Sequence, residues 1–381
     1  MSSVFLWTDE QREFRAVLRR LLDSRAPLTR NRVVAEAGER HDPAVWQTLA
    51  VDLGLQSVAF PEDLGGSGGS RVELAIAAEE MGRVLMGGPF LSTVVLAAQA
   101  IVLSGDQQQA KELLPRIAAG QLTATLAVVE REGTWSPVSV HTKAEPAEHG
   151  TVLSGVKELV LDGADTDLLV VLARDPGGAL SLYLVEHDAV GLATEALITL
   201  DLTRPMSRVT LDRAPAVRLG PAGEGWQTVE RVLEGAAVFL AAEQAGASQA
   251  CVELTADYAR TRVQFGQPIG KFQGVKHRLA DMAVRAEQAR SAALWAAWQR
   301  PGSDEARLGA GIALSYGSEA FVQTAFDTIQ LHGGIGFTWE HDAHFYLRRA
   351  RADYSLLGGP RVHRARLATF LVPGATGDDD A

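Results

Sequence analysis

The stretch YARTRVQFGQPIGKFQGVKHRLADM, which runs from Tyr258 to Met282, governs the interpretation of the whole sequence. Its pattern predicts a helix that ends near Arg262, then a sharp turn and a second helix. Phe265-Gly266 and Pro268-Ile269-Gly270 break the first helix, because glycine adopts positive φ readily and proline has no backbone N–H. The apolar residues of the second helix follow the spacing of a buried face: Val275, Leu279 and Met282.

The predicted turn brings together three side chains that suit a nucleotide, namely Arg262, Gln264 and Phe265. A guanidinium binds phosphate through parallel N–H groups, a carboxamide recognises polar edges, and a phenyl ring stacks on a base. An ordinary helix–turn–helix with a surface arginine would show the same residues. On physical grounds alone, both interpretations stay open.

The run RxQFGxPIxxxQ, followed by LADM, resembles the signature of the acyl-CoA dehydrogenases, FAD enzymes that desaturate acyl thioesters between Cα and Cβ. A second match, QLHGGIGF from Gln330 to Phe337, lies downstream at the distance typical of that family. The resemblance extends from about residue 5 to residue 370. It implies that FAD is the cofactor, an acyl-CoA the substrate and an electron-transfer flavoprotein the electron acceptor.

Composition and charge limit the classes of protein to consider. The chain has 381 residues, 46% of them hydrophobic and 22% charged, which is typical of a globular protein with two or three domains. The formal net charge of −11 argues against a protein that binds nucleic acids or membrane surfaces. No apolar run is long enough to span a bilayer and the N-terminus lacks a basic signal segment, so we expect a cytoplasmic protein. The single cysteine, Cys251, excludes an internal disulfide.

Changes in hydrophobic periodicity divide the chain into three predicted domains and a tail. Residues 1–121 are predicted to form an α-helical domain, whose first helix begins with a capping box at Thr8. Residues 122–222 hold short β-branched runs without helix-length inserts, which predicts an antiparallel β-barrel or sandwich. Residues 223–373 hold long alanine-rich amphipathic runs, which predict a four-helix bundle, and residues 374–381 read as a disordered acidic tail. The chain is therefore predicted to be mainly α with a central β-domain, as in the acyl-CoA dehydrogenases.

The motifs that match the family's contacts to the ADP end of FAD are intact in this sequence. In the family, the flavin ring rests on the β-domain of one subunit, and the ADP end of FAD reaches the neighbouring subunit. For Gly333-Gly334, plain helix termination is the alternative interpretation. The resemblance assigns ADP contacts to these residues: Arg262, Gln264, Phe265, Gln273, Gln330, Gly333 and Gly334.

The positions that face the flavin ring in the family hold different residues in this chain. Where the family has threonine in TEPxAGSD, this chain has Val129. In the segment that matches NGxKxWITN, Leu159 replaces an aromatic residue and Leu161 replaces a hydroxyl-bearing one. Neither leucine can hydrogen-bond to a flavin.

The usual general base is also missing. Most family members carry a glutamate in a YEGTxxIxR segment, where this chain has Leu357. A minority place the base on the helix before the QFG turn, at the positions of Ala236-Ala237. Glu243, farther along that helix, is the one candidate for a relocated base, with a polar-face or intersubunit residue as the alternative. His341 and His344 have a helical spacing that could hold a metal ion, but no cluster of further ligands accompanies them, so no metal site is expected.

Three functions are compatible with this pattern. In the first, the chain is the non-catalytic subunit of an α₂β₂ acyl-CoA dehydrogenase and supplies the ADP half-site of FAD to a catalytic partner. It resembles the second subunits of actinobacterial enzymes that degrade steroid side chains. In the second, it is a self-sufficient homo-oligomeric enzyme with Glu243 as a relocated base. In the third, it is a flavin-free structural or binding protein on the same scaffold.

Overall fold

The structure is a computed structural model that describes residues 7–39 and 41–371. The predicted acidic tail, residues 374–381, therefore lies outside the described residues. Across the two described ranges, no helix is long and apolar enough to cross a membrane. The helices, in chain order, are α1 Asp9–Arg25, α2 Leu28–Glu36, α3 Pro43–Gln47, α4 Arg71–Arg83, α5 Ala98–Leu103, α6 Gln107–Ala118, α7 Gly225–Thr261, α8 Gln273–Trp298, α9 Asp304–His332, α10 Ala343–Ser355 and α11 Gly359–Leu371.

Helix α1 begins at the predicted capping box. The Thr8 hydroxyl accepts a hydrogen bond from the Gln11 backbone N–H at 3.2 Å, and the Gln11 side chain accepts one from the Thr8 N–H at 3.0 Å. Two donors at the start of the helix are thereby satisfied. Helix α11 was not predicted, because Gly358 and Gly359 obscure its start.

The strands between α6 and α7 form one closed sheet. They are β1 Ala124–Ala127, β2 Lys143–Ala147, β3 Gly150–Leu161, β4 Leu168–Arg174, β5 Leu180–Glu186, β6 Leu192–Ala196 and β7 Met206–Leu219. Pairing runs from β4 through β2, β3, β7 and β5 back to β4, with β1 beside β4 and β6 beside β7. Most pairs are antiparallel as predicted, but β1–β4 and β2–β4 are parallel. Strand β2 was missed because it is short and contains Pro146, which weakens a strand signal.

The interior of this sheet is filled by apolar side chains from nearly every strand. Its core includes Leu153, Leu169, Val171, Tyr183 and Val209. Alternating inward and outward residues produce such a core when a sheet closes on itself. The predicted fold class, helices around a central β-domain, is confirmed.

The chain divides into two compact units. The helical unit comprises Met1–Arg32, Arg71–Met86 and Ala237–Ala381, and the sheet unit comprises Val33–Ser70 and Gly87–Ala236. Each unit combines segments that are distant in sequence. The domain bounds 1–121, 122–222 and 223–373 consequently remain predictions.

Within the helical unit, α4 and α7 pack backbone against backbone. A Cβ on Gly82 would lie 2.0 Å from the Glu243 carbonyl oxygen, and one on Gly246 would lie 1.8 Å from that of Glu79. Only glycine permits so close a crossing. The crossing places Glu79 where Arg290 of α8 donates to it at 3.0 Å, so that α4, α7 and α8 are fixed together.

Candidate functional site

A two-residue hairpin follows α7. Its strands, β8 Val263–Gln264 and β9 Gln267–Pro268, are joined by Phe265 and Gly266, whose φ angles of 52° and 77° are both positive. Such hairpins favour Asn or Gly in that region, and a phenylalanine there costs about 1–2 kcal/mol. Phe265 is nevertheless 92% exposed, with only an edge contact to Phe272 at 6.1 Å. The conformation therefore presents an aromatic ring to the outside rather than to the core.

Arg262 stands at the start of this hairpin with an exposed side chain. Its backbone carbonyl accepts a hydrogen bond from Ile269 at 2.8 Å, which fixes the turn. Its guanidinium forms no hydrogen bond or ion pair with any residue of 7–39 or 41–371. By contrast, Arg260 two residues earlier pairs with Asp257. The Arg262 guanidinium is thus available to an external anion such as a phosphate.

The second predicted motif lies at the end of α9. Gln330 is exposed there, and Gly333 caps the helix with φ of 66°, a value that favours glycine. Gly334 has no such requirement, because its φ lies outside the left-handed region and an added Cβ would meet nothing within 4 Å. No neighbour among residues 7–39 and 41–371 explains glycine at this position. An external group that approaches the backbone closely would explain it.

Substitution of Gly334 by alanine is expected to leave folding intact and to weaken nucleotide binding. The free energy of unfolding, measured in urea, should stay the same or rise by up to about 1 kcal/mol. The reason is that alanine has less backbone freedom than glycine in the unfolded chain. Affinity for FAD should fall by about tenfold if the added methyl group meets the nucleotide. Gly336→Ala is the matched control: its Cβ would lie 2.8 Å from the His332 Cβ, so it should destabilise the fold by about 1–3 kcal/mol. Unchanged FAD affinity in the Gly334 variant would contradict a nucleotide contact.

A stack of three rings joins the two motifs. The rings of Tyr258 on α7 and His332 on α9 lie 4.4 Å apart, and the His341 ring lies 4.6 Å from that of His332. His332 donates from Nδ1 to the Thr328 carbonyl at 2.7 Å, and burial lowers the pKa of this imidazole. The hairpin and the end of α9 therefore lie at the same end of the helical unit, as one nucleotide site built from both would require.

Gln273 is the first residue of α8 and is exposed, with its Nε2 atom 3.5 Å from Nε2 of His277. The predicted buried face of α8 is only partly right. Met282 is fully buried, whereas Val275 and Leu279 are half-buried. The first turns of α8 lie at the exposed end of the unit, so the apolar spacing does not lead to full burial there.

In the sheet unit, the two segments that match the flavin-facing region lie side by side. The Glu158 N–H donates to the Val129 carbonyl at 2.9 Å across a bulge in β3. Leu159 lies in that bulge with φ of 53° and a half-exposed side chain, while Val129 and Leu161 are buried. The position nearest solvent thus carries a hydrocarbon in a strained conformation and no hydrogen-bonding group.

A buried ion pair, which was not predicted from the sequence, fixes these segments together. Lys157 Nζ lies 2.7 Å from Glu130 Oε1 and donates to the Val128 carbonyl at 3.2 Å. Burial lowers the pKa of Lys157 to about 8 despite the attraction of Glu130. Burial also opposes the charge on Glu130, but Lys157 and hydrogen bonds from Thr142 outweigh it, so the pKa of Glu130 lies below its usual value. In the sequence, Glu130 matches the glutamate of the family's TEP segment and Lys157 matches the lysine of its NGxK segment. These two matches could have indicated the pair.

The positions at which family members carry the general base hold apolar side chains in this chain. Leu357 is buried, with φ of 56°, in the turn between α10 and α11, and His363 donates to its carbonyl at 2.9 Å. Ala236 and Ala237 are fully buried on α7. None of these side chains can accept a proton. Among residues 7–39 and 41–371, no group of three or more His, Cys, Asp or Glu side chains could hold a metal ion.

Two family models match this chain. The model for the N-terminal domain of acyl-CoA dehydrogenase matches residues 8–121, and the model for the C-terminal domain matches residues 223–372. Acyl-CoA dehydrogenase IpdE2 of Mycolicibacterium smegmatis is 30% identical over 360 residues, which cover 94% of this chain and 98% of IpdE2. The chain belongs to the acyl-CoA dehydrogenase family.

A longer member of the family is also similar. Acyl-CoA dehydrogenase FadE34 of Mycobacterium tuberculosis is 40% identical over 309 residues, which cover 81% of this chain. Those residues are only 39% of FadE34, so FadE34 is about twice as long as this chain.

Solved structures of acyl-CoA dehydrogenases share the fold. A variant of the Tcur3481-Tcur3483 steroid ACAD is 32% identical with a TM-score of 0.85, covering 96% of this chain and 99% of that one. The ChsE4-ChsE5 complex from Mycobacterium tuberculosis is 28% identical with a TM-score of 0.87, covering 98% of this chain and 100% of that one. Each name joins two components, and the second is described as a complex.

Acyl-CoA dehydrogenases generally bind FAD, and the residues of this chain fit one end of that molecule. The ADP end would meet the unpaired guanidinium of Arg262 and the open backbone at Gly334. The ring end would meet Val129, Leu159 and Leu161, whose side chains offer no hydrogen bond. The fit is therefore good for the nucleotide and poor for the ring.

Glu243, the candidate for a relocated base, is buried in an ion pair. Arg349 Nη1 donates to Glu243 Oε1 at 2.6 Å, and Arg349 Nη2 donates to the Met86 carbonyl at 3.3 Å. Both side chains are at least nine-tenths buried. Removal of a substrate proton would neutralise the carboxylate and abolish its ion pair with the buried Arg349 guanidinium, which is costly. The geometry thus favours a structural role for Glu243 over a catalytic one.

Proposed function

We propose that this chain is the non-catalytic subunit of a heteromeric acyl-CoA dehydrogenase. It supplies the ADP half-site of FAD to a partner subunit that carries the flavin-ring site and the base. The observation that carries the proposal is the contrast between the positions that match the two ends of the cofactor. At the ADP end stand an exposed Arg262 without a partner among the described residues and an open Gly334, whereas the ring-facing and base positions hold apolar side chains.

The chemistry of dehydrogenation indicates which groups each subunit must supply. Dehydrogenation removes a proton from Cα to a carboxylate and a hydride from Cβ to the flavin, leaving a Cα=Cβ double bond in the thioester. At the positions where the family has its base, Leu357 and Ala236-Ala237 cannot take the proton. The carboxylate is therefore supplied by the partner, and the electrons leave through an electron-transfer flavoprotein. This chain's contribution is to bind and orient the nucleotide.

The similar proteins support this assignment. The two solved assemblies each combine different chains, and one of them is described as a steroid ACAD. FadE34 is long enough to contain two chains of this size, as expected if two complementary halves were joined in one polypeptide. The substrate class that we propose is a CoA thioester whose acyl group is the side chain of a steroid.

The test is to purify this chain alone and together with the acyl-CoA dehydrogenase-family chain encoded beside it. Flavin absorbance and acyl-CoA oxidation are measured in both preparations. We expect flavin and turnover only in the mixture. Full flavin content and turnover from the chain alone would show a self-sufficient enzyme instead. The absence of flavin from both preparations would indicate a flavin-free protein on the same scaffold.

Substitution of Arg262 by glutamine is expected to weaken FAD binding to the mixed complex by about 10- to 100-fold, because a hydrogen bond to a charged group contributes about 1.5–3 kcal/mol. The fold should be unaffected, since the guanidinium has no partner among the described residues. Arg260→Gln is the matched control, because Arg260 is also exposed but pairs with Asp257. Titration with FAD measures both. Equal affinities in the two variants would contradict the phosphate contact.

A further inference from the structure

The last two helices of the described chain, α10 and α11, carry exposed charge of one sign only. Residues 343–371 contain six arginines and a single acidic residue, Asp353, although the formal net charge of the whole chain is −11. Asp353 is fully buried, so the exposed charged side chains of these two helices are all arginines. The proposed function does not use them. A surface of one charge in a protein of the opposite charge favours an anionic ligand.

Three of these arginines have no partner among the residues that the structure describes. Arg351 on α10 and Arg361 and Arg366 on α11 are exposed, and their guanidinium groups form no hydrogen bond or ion pair with residues 7–39 or 41–371. These three residues are called the basic surface below. Arg364 differs from them, because it pairs with Glu319 of α9. The positive charges of the basic surface are therefore not compensated within the described chain.

The basic surface lies on both sides of a strained turn. The turn from α10 into α11 passes through Leu357, Gly358 and Gly359, whose φ angles of 56°, 94° and 65° are all positive. Leucine disfavours this conformation, because its Cβ crowds the backbone. Arg351 lies one turn before the end of α10, and Arg361 lies in the first turn of α11. An anionic segment that contacts both arginines would bridge the two helices across the strained turn.

The chain carries an acidic segment that is long enough to reach the basic surface. Residues 372–381 have the sequence VPGATGDDDA, with aspartates at positions 378–380 and no basic residue. Helix α11 ends at Leu371, and the seven residues from there to Asp378 span up to about 23 Å. The ten residues from Leu371 back to Arg361 correspond to about 15 Å along the helix axis. The aspartates can therefore lie against the exposed side of α11.

The covalent connection favours this segment over a separate anionic partner. Exposed ion pairs are individually weak, and a free acidic peptide with three carboxylates would bind an exposed surface poorly. A short tether raises the effective concentration of the segment into the millimolar range, so that the same weak pairs suffice. A second copy of the chain would bring an identical basic surface, which repels the first. The segment of opposite charge that is always nearby is the chain's own.

We propose that the acidic segment Asp378–Asp380 docks on the basic surface of the same chain and bridges α10 and α11. The contact is an electrostatic strap: it holds the two helices together across the strained turn and shields three arginines from external anions. High salt releases it, because the charges are exposed to solvent. The strap is independent of the proposed function, since it requires neither flavin nor a partner subunit.

The test measures the rotational freedom of a dye at the end of the acidic segment in the full chain. Ala381→Cys provides the attachment point. The native Cys251 does not compete for the dye, since it is fully buried and burial raises the pKa of its thiol to about 12. We expect high fluorescence anisotropy at about 20 mM salt and low anisotropy at about 1 M salt, where the screening length falls to about 3 Å.

Charge variants of the labelled chain identify the surface that the segment contacts. Arg351→Gln, Arg361→Gln and Arg366→Gln together should lower the docking equilibrium constant about tenfold, roughly twofold for each exposed ion pair. The matched control makes the same change in net charge at three exposed arginines that already have acidic partners: Arg12→Gln, Arg260→Gln and Arg307→Gln. The control should leave the anisotropy at the value of the unsubstituted chain. Circular dichroism checks that each variant is folded.

A variant of the acidic segment tests the same contact from the other side. Asp378→Asn, Asp379→Asn and Asp380→Asn together change no residue of the described helices, and at low salt they should give the anisotropy of the chain in 1 M salt. Equal anisotropy in the arginine variant and its control would overturn the basic surface as the docking site. Anisotropy that rises with protein concentration would show that the segment docks on another copy, and would overturn an intrachain strap.

Discussion

The Arg349→Met variant is expected to lose about 3–5 kcal/mol of the free energy of unfolding, because it leaves a carboxylate buried without its guanidinium. In the wild type, Arg349 Nη1 donates to Glu243 Oε1 at 2.6 Å, and both side chains are at least nine-tenths buried. The pair joins α10 to α7 inside the helical unit. Urea unfolding measures the effect as a lower midpoint with an unchanged slope.

A matched control separates the effect of burial from the effect of removing a positive charge. Arg364→Gln removes an arginine that pairs with Glu319 at the surface, and it should cost less than about 1 kcal/mol. A double variant, Arg349→Met with Glu243→Leu, should recover part of the lost stability, because an apolar pair replaces the buried carboxylate and the guanidinium that faces it. Equal losses in Arg349→Met and Arg364→Gln would show that the buried pair contributes no more than a surface pair.

The same pair decides between two roles for Glu243. If Glu243 were the base, Glu243→Gln would lower turnover of the mixed complex by about 10²- to 10⁴-fold. We expect instead a less stable protein whose turnover per folded complex is close to that of the wild type. A loss of turnover in a fully folded complex would therefore restore Glu243 as a catalytic candidate.

Local sequence patterns were sufficient where a structure depends on neighbouring residues. The capping box at Thr8 and the glycine that ends α9 at Gly333 are confirmed, because each is decided within a few residues. The hairpin around Phe265 was predicted as a sharp turn for the same reason. The exposure of Phe265 was not predicted, since local pattern does not reveal which surface a turn faces.

Long-range pairings could not be predicted from one sequence. Glu243 and Arg349 are 106 residues apart, and Glu130 and Lys157 are 27 residues apart. A charged residue in an apolar run indicates that a partner exists, but not which one. Whether the residue is paired decides its chemistry, so the candidate base could be weighed only after Arg349 was located. The glycine at Gly334 is a similar case, because the empty space beside it is a property of the folded chain.

The Lys157→Met variant is expected to lose about 3 kcal/mol of the free energy of unfolding, because Glu130 then lies buried without its cation. Thr142 and the His141 N–H still donate to Glu130, at 2.7 Å and 2.8 Å, which limits the loss. Urea unfolding of the whole chain measures the effect. Lys143→Met, an exposed lysine on β2, is the matched control and should change stability by less than about 0.5 kcal/mol.

The pH dependence of the stability difference between the wild type and Lys157→Met identifies the cause of that difference. In the wild type, Lys157 and Thr142 help to hold the pKa of Glu130 below 4.5, so the stability that Glu130 contributes is present above that pH and lost as pH falls through its lowered pKa. In Lys157→Met, burial prevails, and the carboxylate takes up a proton at a higher pH. The stability difference between the two proteins should therefore be larger at neutral pH than in acid, where Glu130 is protonated in both. A difference that stays constant from pH 7 to about pH 4 would show that lost packing, rather than the uncompensated charge of Glu130, causes the instability.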